Sequence, residues 1–282
     1  MPNEHLVPWR LGYVSLAVED LDVAANFWVR YGGLEISERN NDRIHLRGGT
    51  DHHWIVLERT AARPGLRRMA FEVAAAADLE RFAERLDHAG AKYAQTAGEW
   101  TGPGLVFTDP TGYEVELFTG LGNVAVAARG GWFSPETLLH AVVAVADLEE
   151  SFDFYGRVLG FRESDRVIGA TIFLRAGIGY HHALVLGGGR GEPHLDHVCF
   201  LMPSLDDLMR ARATLLEDGV ELSRDLLRHP TSGSIGFYAK AEPAPTTLEY
   251  CIGHMTITDP DYRPRALTPG RWTSNIWLPP KR

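Results

Sequence analysis

At 282 residues, with 45% hydrophobic and 23% charged side chains, the chain is long enough to bury a sizeable core and sits near the length at which cores divide in two. Its formal charge is -9, from 28 Lys and Arg against 37 Asp and Glu, and no run of basic residues forms the stripe a phosphate backbone requires. Nucleic acid is therefore excluded as the expected partner.

The opening segment, Met1 to Val14, carries Pro2, Pro8 and charges but no apolar core of the kind a signal peptide needs. No apolar run anywhere approaches the roughly 18 residues of a membrane span. A cytoplasmic protein, not a membrane one, is expected. From Val18 onward the sequence repeats itself. Val18, Asp20-Leu21, Phe27-Trp28, Gly33-Leu34 and Arg39 recur 127 residues later as Val145, Asp147-Leu148, Phe154-Tyr155, Gly160-Phe161 and Arg166. His52-His53, Phe71, Asp78-Leu79 and Gly90 recur 129 residues later as His181-His182, Phe200, Asp207-Leu208 and Gly219. The two halves are expected to be domains, residues 1–120 and 138–260, followed by a tail at 261–282. The Gly- and Ala-rich stretch Thr119 to Thr137 is the expected linker.

Each half divides again, because His140 to Leu148 aligns with His197 to Leu205 at a shift of 57. In the third of the resulting four units, Ala141 to Val145 reads as a buried strand, and Leu148 to Val158 as a helix with Phe152, Tyr155 and Leu159 on its apolar stripe. Three short strands follow, Phe161 to Val167, Ala170 to Arg175 and Tyr180 to Leu186, separated by Gly or polar turns. The fold class is thus α+β, with four βαβββ modules paired into two half-barrels, each closing on a cleft. Acidic groups at Asp147 to Glu150 and Asp206-Asp207 mark helix starts. Gly187 to Gly191 lacks the Lys-Ser/Thr of a phosphate loop and reads as a surface turn. Cys199 and Cys251 lie in apolar alternating runs that suit reduced, buried thiols.

Three residues within such strands carry the functional reading: His140, His197 and Glu249. A lone histidine in an apolar strand is more often a hydrogen-bonded core residue than a ligand. Here the two histidines occupy equivalent positions of successive units, so a pseudo-twofold axis brings them face to face. Glu249 stands in the otherwise apolar run Thr247 to Ile252, where an unpaired carboxylate would cost several kcal/mol. A cation supplies its partner, and two imidazoles with one carboxylate form the facial triad of non-haem Fe(II), which points to an enzyme that handles oxygen. In the first half Tyr13 stands for His140, Arg68 for His197 and Glu116 for Glu249. One metal is expected, in the C-terminal half only.

These residues resemble the two-domain type I extradiol catechol dioxygenases of the vicinal oxygen chelate superfamily, with its glyoxalase-like fold. The likeness covers nearly the whole chain as paired modules and is most specific from His140 to Glu249. The family's signature reads here as His229, Phe237-Tyr238, Pro243, Pro245 and Glu249. The resemblance implies His140, His197 and Glu249 as metal ligands, Fe(II) or Mn(II) as the metal, and His182 as the acid/base. It implies His229 and Tyr238 as hydrogen-bonding partners of substrate oxygen and of the oxygenated intermediate. It also implies O2 and a small aromatic diol as substrates, meta-cleavage of the ring, a role in aromatic hydrocarbon catabolism, and a homo-oligomer. The chain departs from the pattern by one extra residue between Tyr238 and Glu249. A second departure is Pro230-Thr231-Ser232-Gly233, where the family places Asn and Asp beside the histidine.

Two alternatives stay open. A glyoxalase-like lyase would want a fourth protein ligand from Ala183 to Leu186, which offers none. A non-catalytic protein sequestering an aromatic ligand needs no triad. The tail from Asp259, with Trp272, Trp277 and five prolines, reads as irregular and could cover either the cleft mouth or a subunit contact.

Overall fold

The structure, a computed structural model, describes residues 6–126, 131–189, 191–241, 243 and 245–279. The expected module is present four times. The first runs β1 (Arg10–Val18), α1 (Leu21–Arg30), β2 (Glu35–Arg39), β3 (Arg43–Arg47) and β4 (Ile55–Arg59). The second runs β5 (Gly65–Glu72), α2 (Ala76–His88), β6 (Tyr93–Ala97), β7 (Pro103–Thr108) and β8 (Glu114–Phe118). The third is β9 (Thr137–Ala144), α3 (Leu148–Asp153), β10 (Arg162–Val167), β11 (Thr171–Arg175) and β12 (Leu184–Gly187). The fourth is β13 (His194–Leu201), α4 (Leu205–Glu217), β14 (Leu222–Arg228), β15 (Ile235–Ala241) and β16 (Thr246–Ile252).

Local chemistry sets the helix starts. Asp20, Asp147 and Ser204 each cap a helix by accepting backbone N–H groups of its first turn. After Asp153 the third helix widens into a π-turn, Phe154–Val158, in which Leu159 N–H donates to Phe154 O. The wider turn buries both Phe154 and Tyr155, and leaves Phe152, expected on the apolar stripe, only partly covered.

Modules pair as the repeat requires. β1 and β5 run antiparallel at the centre of an eight-stranded sheet ordered β2-β3-β4-β1-β5-β8-β7-β6. β9 and β13 do the same in a second sheet, ordered β14-β15-β16-β13-β9-β12-β11-β10, which gains a ninth strand, β17 (Arg265–Leu267), on its β10 edge. The tail is therefore not wholly irregular: β17 pairs parallel to β10, and a short 3-10 turn, Arg271–Thr273, follows. The strand expected from Tyr180 begins only at Leu184. His181 N–H donates to Met255 O and Tyr180 bridges Thr256, so this stretch pairs with the chain beyond β16 before it can join β11.

One hydrophobic cluster runs through both halves. Trp28 meets Phe200 edge-on at 6.1 Å, Phe71 meets Phe161 at 5.1 Å, and Tyr155 Oη donates to Asp109 Oδ2 at 2.8 Å. Within the expected linker, Phe133 is buried and Val124 N–H bonds Thr50 O; residues 127–130 lie outside the described residues. Cys199 and Cys251 are buried free thiols, as expected, with sulfurs 3.6 Å apart.

Candidate metal centre

Three neighbouring strands supply the triad. β13 lies between β9 and β16, and its Cys199 is the register partner of both His140 and Glu249. Alternation then sends His140, His197 and Glu249 to one face. His140 Nε2 lies 2.9 Å and His197 Nε2 3.1 Å from the same atom, Glu249 Oε2. All three side chains are buried. Burial acts to raise the Glu249 carboxyl, but hydrogen bonds from His140, His197 and His229 outweigh it and hold the group well below the usual carboxylate range. Burial holds His140 below its ordinary value. It would lower His197 as well, but Asp196 and Glu249 overcome it and hold that imidazole up to about 9.

The centre opens on a cavity of about 540 Å³, within the range typical of small-molecule sites. His182, His229 and Tyr238 line it together with the triad, so every site residue expected from the sequence faces one space. His229 Nε2 lies 2.8 Å from Tyr238 Oη and 3.3 Å from Glu249 Oε1, and the His182 ring sits 4.2 Å from that of His140. In the segment that departs from the family pattern, Ser232 and Ser234 hydroxyls pair at 2.8 Å and His229 N–H donates to Ser234 O. The loop with the extra residue includes 242 and 244, which lie outside the described residues; Pro243 and Pro245 are described as turn. The tail forms part of the cavity wall through Pro269, Gly270, Thr273 and Ser274.

Sequence reasoning missed several participants. Asp196 Oδ1 lies 2.6 Å from His197 Nδ1, an arrangement that leaves Nε2 to face a metal; the acid immediately before the ligand was the available signal. Asp165, Arg265 and His254 were missed because tertiary pairing alone brings them near. His254 is buried with neither ring nitrogen hydrogen-bonded.

The donor set fits a divalent metal. Two imidazole nitrogens lie 2.9 and 3.1 Å from one ionised carboxylate oxygen, a combination of donors suited to Fe(II), Mn(II) or Zn(II). Two other donor sets, each within 4.8 Å of one another, share His140: His140, His182 and His254, and His140, Cys199 and Glu249. Neither Cys199 nor His254 lines the cavity, whereas all three triad residues do. Of the three sets, the triad alone has every member on the cavity wall, where a substrate has access.

The N-terminal half holds the same positions differently. Tyr13 donates to Glu116 Oε2, and Arg68 Nη1 reaches that oxygen at 2.7 Å. A guanidinium thus occupies the role of a cation. Among the described residues, no group of metal-ligating side chains is found in this half.

The chain matches the Glyoxalase/Bleomycin resistance protein/Dioxygenase superfamily over residues 10–117 and 137–261, and belongs to it. Among characterised relatives, the biphenyl-2,3-diol 1,2-dioxygenase of Paraburkholderia xenovorans (strain LB400) is 27% identical over 268 residues, covering 88% of each chain. The Mn(II)-bound glyoxalase from Novosphingobium aromaticivorans superposes with a TM-score of 0.88 at 24% identity, covering 96% of this chain and 91% of that one. A halotolerant catechol dioxygenase gives a TM-score of 0.88 at 20% identity, covering 96% and 94%. The resemblance to extradiol dioxygenases read from the sequence is borne out at the level of the family. No helix among the described residues is long and apolar enough to cross a membrane.

Proposed function

We propose that the chain is a dioxygenase that opens the ring of a catechol-type aromatic diol beside its hydroxyls and incorporates both atoms of O2. A single Fe(II), with Mn(II) as the other candidate, would be held by His140, His197 and Glu249. The observation that carries this reading is the convergence of two imidazole nitrogens on one carboxylate oxygen at the wall of a substrate-sized cavity. The relative that acts on biphenyl-2,3-diol supports the reaction class, and a manganese-dependent 2,3-dihydroxybiphenyl 1,2-dioxygenase, 24% identical over 286 residues, supports a divalent metal. Bound there, the cation would supply adjacent open positions for two vicinal oxygens and dioxygen.

The protein's own groups do the rest. Phe173, Val142 and Val185 give the cavity an apolar side against which an aromatic ring can lie. Burial, reinforced by His140 and His254, holds His182 well below its ordinary value, so it is neutral and able to take a diol proton and return it later. His229 and Tyr238, already bonded to each other, would fix the orientation of the substrate oxygens. Val185 stands where the closing strand of the third module faces the cavity, so that strand offers no fourth ligand and a glyoxalase-like lyase is disfavoured. Anaerobic loading with Fe(II) or Mn(II), then O2 uptake with a panel of substituted catechols, tests the proposal. One O2 consumed per diol, with a yellow ring-opened product, is expected. Tight aromatic binding without uptake would overturn it in favour of a sequestering protein.

A further inference from the structure

Behind His182 runs a buried line of polar groups to which the reaction scheme above gives no task. Asp165, on β10, and His181 are both fully inaccessible to solvent. Asp165 Oδ2 lies 2.8 Å from His181 Nε2, and His181 Nδ1 lies 2.9 Å from His182 Nδ1. The parallel pairing of β10 with β17 sets Arg265 opposite Asp165. Its backbone N–H reaches Oδ1 at 2.8 Å, its Nε reaches Oδ1 at 3.0 Å and its Nη2 reaches Oδ2 at 2.5 Å. The outer end of the line is thus tied to the C-terminal tail, which also walls the cavity.

We propose that Asp165 and His181 are positioning residues that fix the tautomer of His182, making Nε2 the ring nitrogen that accepts a proton; as a statement about catalysis, this rests on the proposed function. The reasoning is one of hydrogen-bond polarity. An ionised carboxylate only accepts, so His181 must turn Nε2–H toward Asp165. A neutral His181 then has a bare Nδ1, which must receive a proton, and the donor within reach is His182 Nδ1–H. Arg265 already balances the charge of Asp165, so His181 need not carry a second positive charge. Burial acts to raise the Asp165 carboxyl, yet His181 and Arg265 hold it below its ordinary value, as the chain requires.

The N-terminal half serves as an internal comparison. His52 and His53 repeat the pair, with Nδ1 atoms 3.0 Å apart. Glu38 takes the place of Asp165, but its Oε2 stays 3.9 Å from His52 Nε2, beyond hydrogen-bond range, and it accepts from Trp100 Nε1 instead. The His pair recurs in both halves. The carboxylate link closes only where the metal triad is present.

Long-range 1H–15N spectra of histidine-labelled full-length protein, metal-free and loaded with diamagnetic Zn(II), read the tautomers directly. The expected result is a protonated Nε2 on His181, a protonated Nδ1 on His182 and a bare Nε2 on His182; a protonated Nε2 on His182 would overturn the proposal. In Asp165→Asn the amide oxygen should stay with the backbone N–H and Nε–H of Arg265, so the amide N–H faces His181 and reverses the line. The His182 signal should then change tautomer, and kcat should fall on the order of 10²- to 10⁴-fold with KM within about twofold of wild type. Lost turnover without a tautomer change, or a tautomer change without lost turnover, would overturn the assignment. Should Asp165→Asn not fold, the wild-type spectra still decide. Absent O2 uptake by wild-type protein would overturn the functional reading instead, and the spectra would still show whether Asp165 sets His182.

Discussion

Glu249 is the side chain on which the proposed metal centre turns, because its Oε2 is the one atom both triad imidazoles reach. Glu249→Gln keeps the shape but removes the charge, and bound iron per chain, measured by plasma mass spectrometry, should drop from one to near zero; retained metal would contradict the ligand set. His182→Ala should leave metal content unchanged while slowing turnover by on the order of 10²- to 10⁴-fold. Unchanged turnover would remove His182 from the chemistry. The triad was legible because each member is a polar intruder in an apolar strand, and His182 because the resemblance pointed to it. Asp165 and Arg265 were not, since neither sits in a recognisable pattern and they meet across 100 residues of chain. A separate effect concerns His45 in the N-terminal half, which burial holds down to about 4 despite Glu38 beside it. Its folded value lies below its unfolded one, so the unfolded chain takes up the proton first. Stability is therefore complete above about pH 6.5 and declines as pH falls toward 4. Melting temperature should fall less over that window in His45→Gln than in wild type; parallel curves would show that His45 contributes nothing.

Among elements, the modules could be read from the sequence because alternation in the strands and capped amphipathic helices are local signals. The exceptions have two causes. The late start of β12 and the presence of β17 are set by contacts far along the chain, His181 with Met255 and β17 with β10. The π-turn is instead a local widening closed by Leu159 N–H on Phe154 O, which a regular 3.6-residue periodicity does not anticipate. The tail residues after β17 wall the cavity but contribute little to the buried core. A chain ending at Leu267 should keep its melting temperature within a few degrees and its metal, yet show KM for a good catechol raised severalfold. An unchanged KM would mean that the 269–274 wall does not touch substrate.

For the molecule as a whole, duplication produced two similar sheets of which one carries the donor set. The halves share a core, and Phe200 is fully buried against Trp28 and Trp54 of the first half. Phe200→Ala should cost about 3–5 kcal/mol in denaturant unfolding, through lost burial and the cavity left behind. A loss below about 1 kcal/mol would show that the halves are stabilised separately. The contrast between the two clefts was predictable from Tyr13 and Arg68 alone. That a guanidinium stands in for the cation became visible only in the contact of Arg68 with Glu116. The most direct test is anomalous scattering at the iron edge from crystals loaded anaerobically with Fe(II). One peak per chain within bonding distance of His140 Nε2, His197 Nε2 and Glu249 is expected. A peak among His140, His182 and His254, or any peak beside Tyr13 and Arg68, would contradict it.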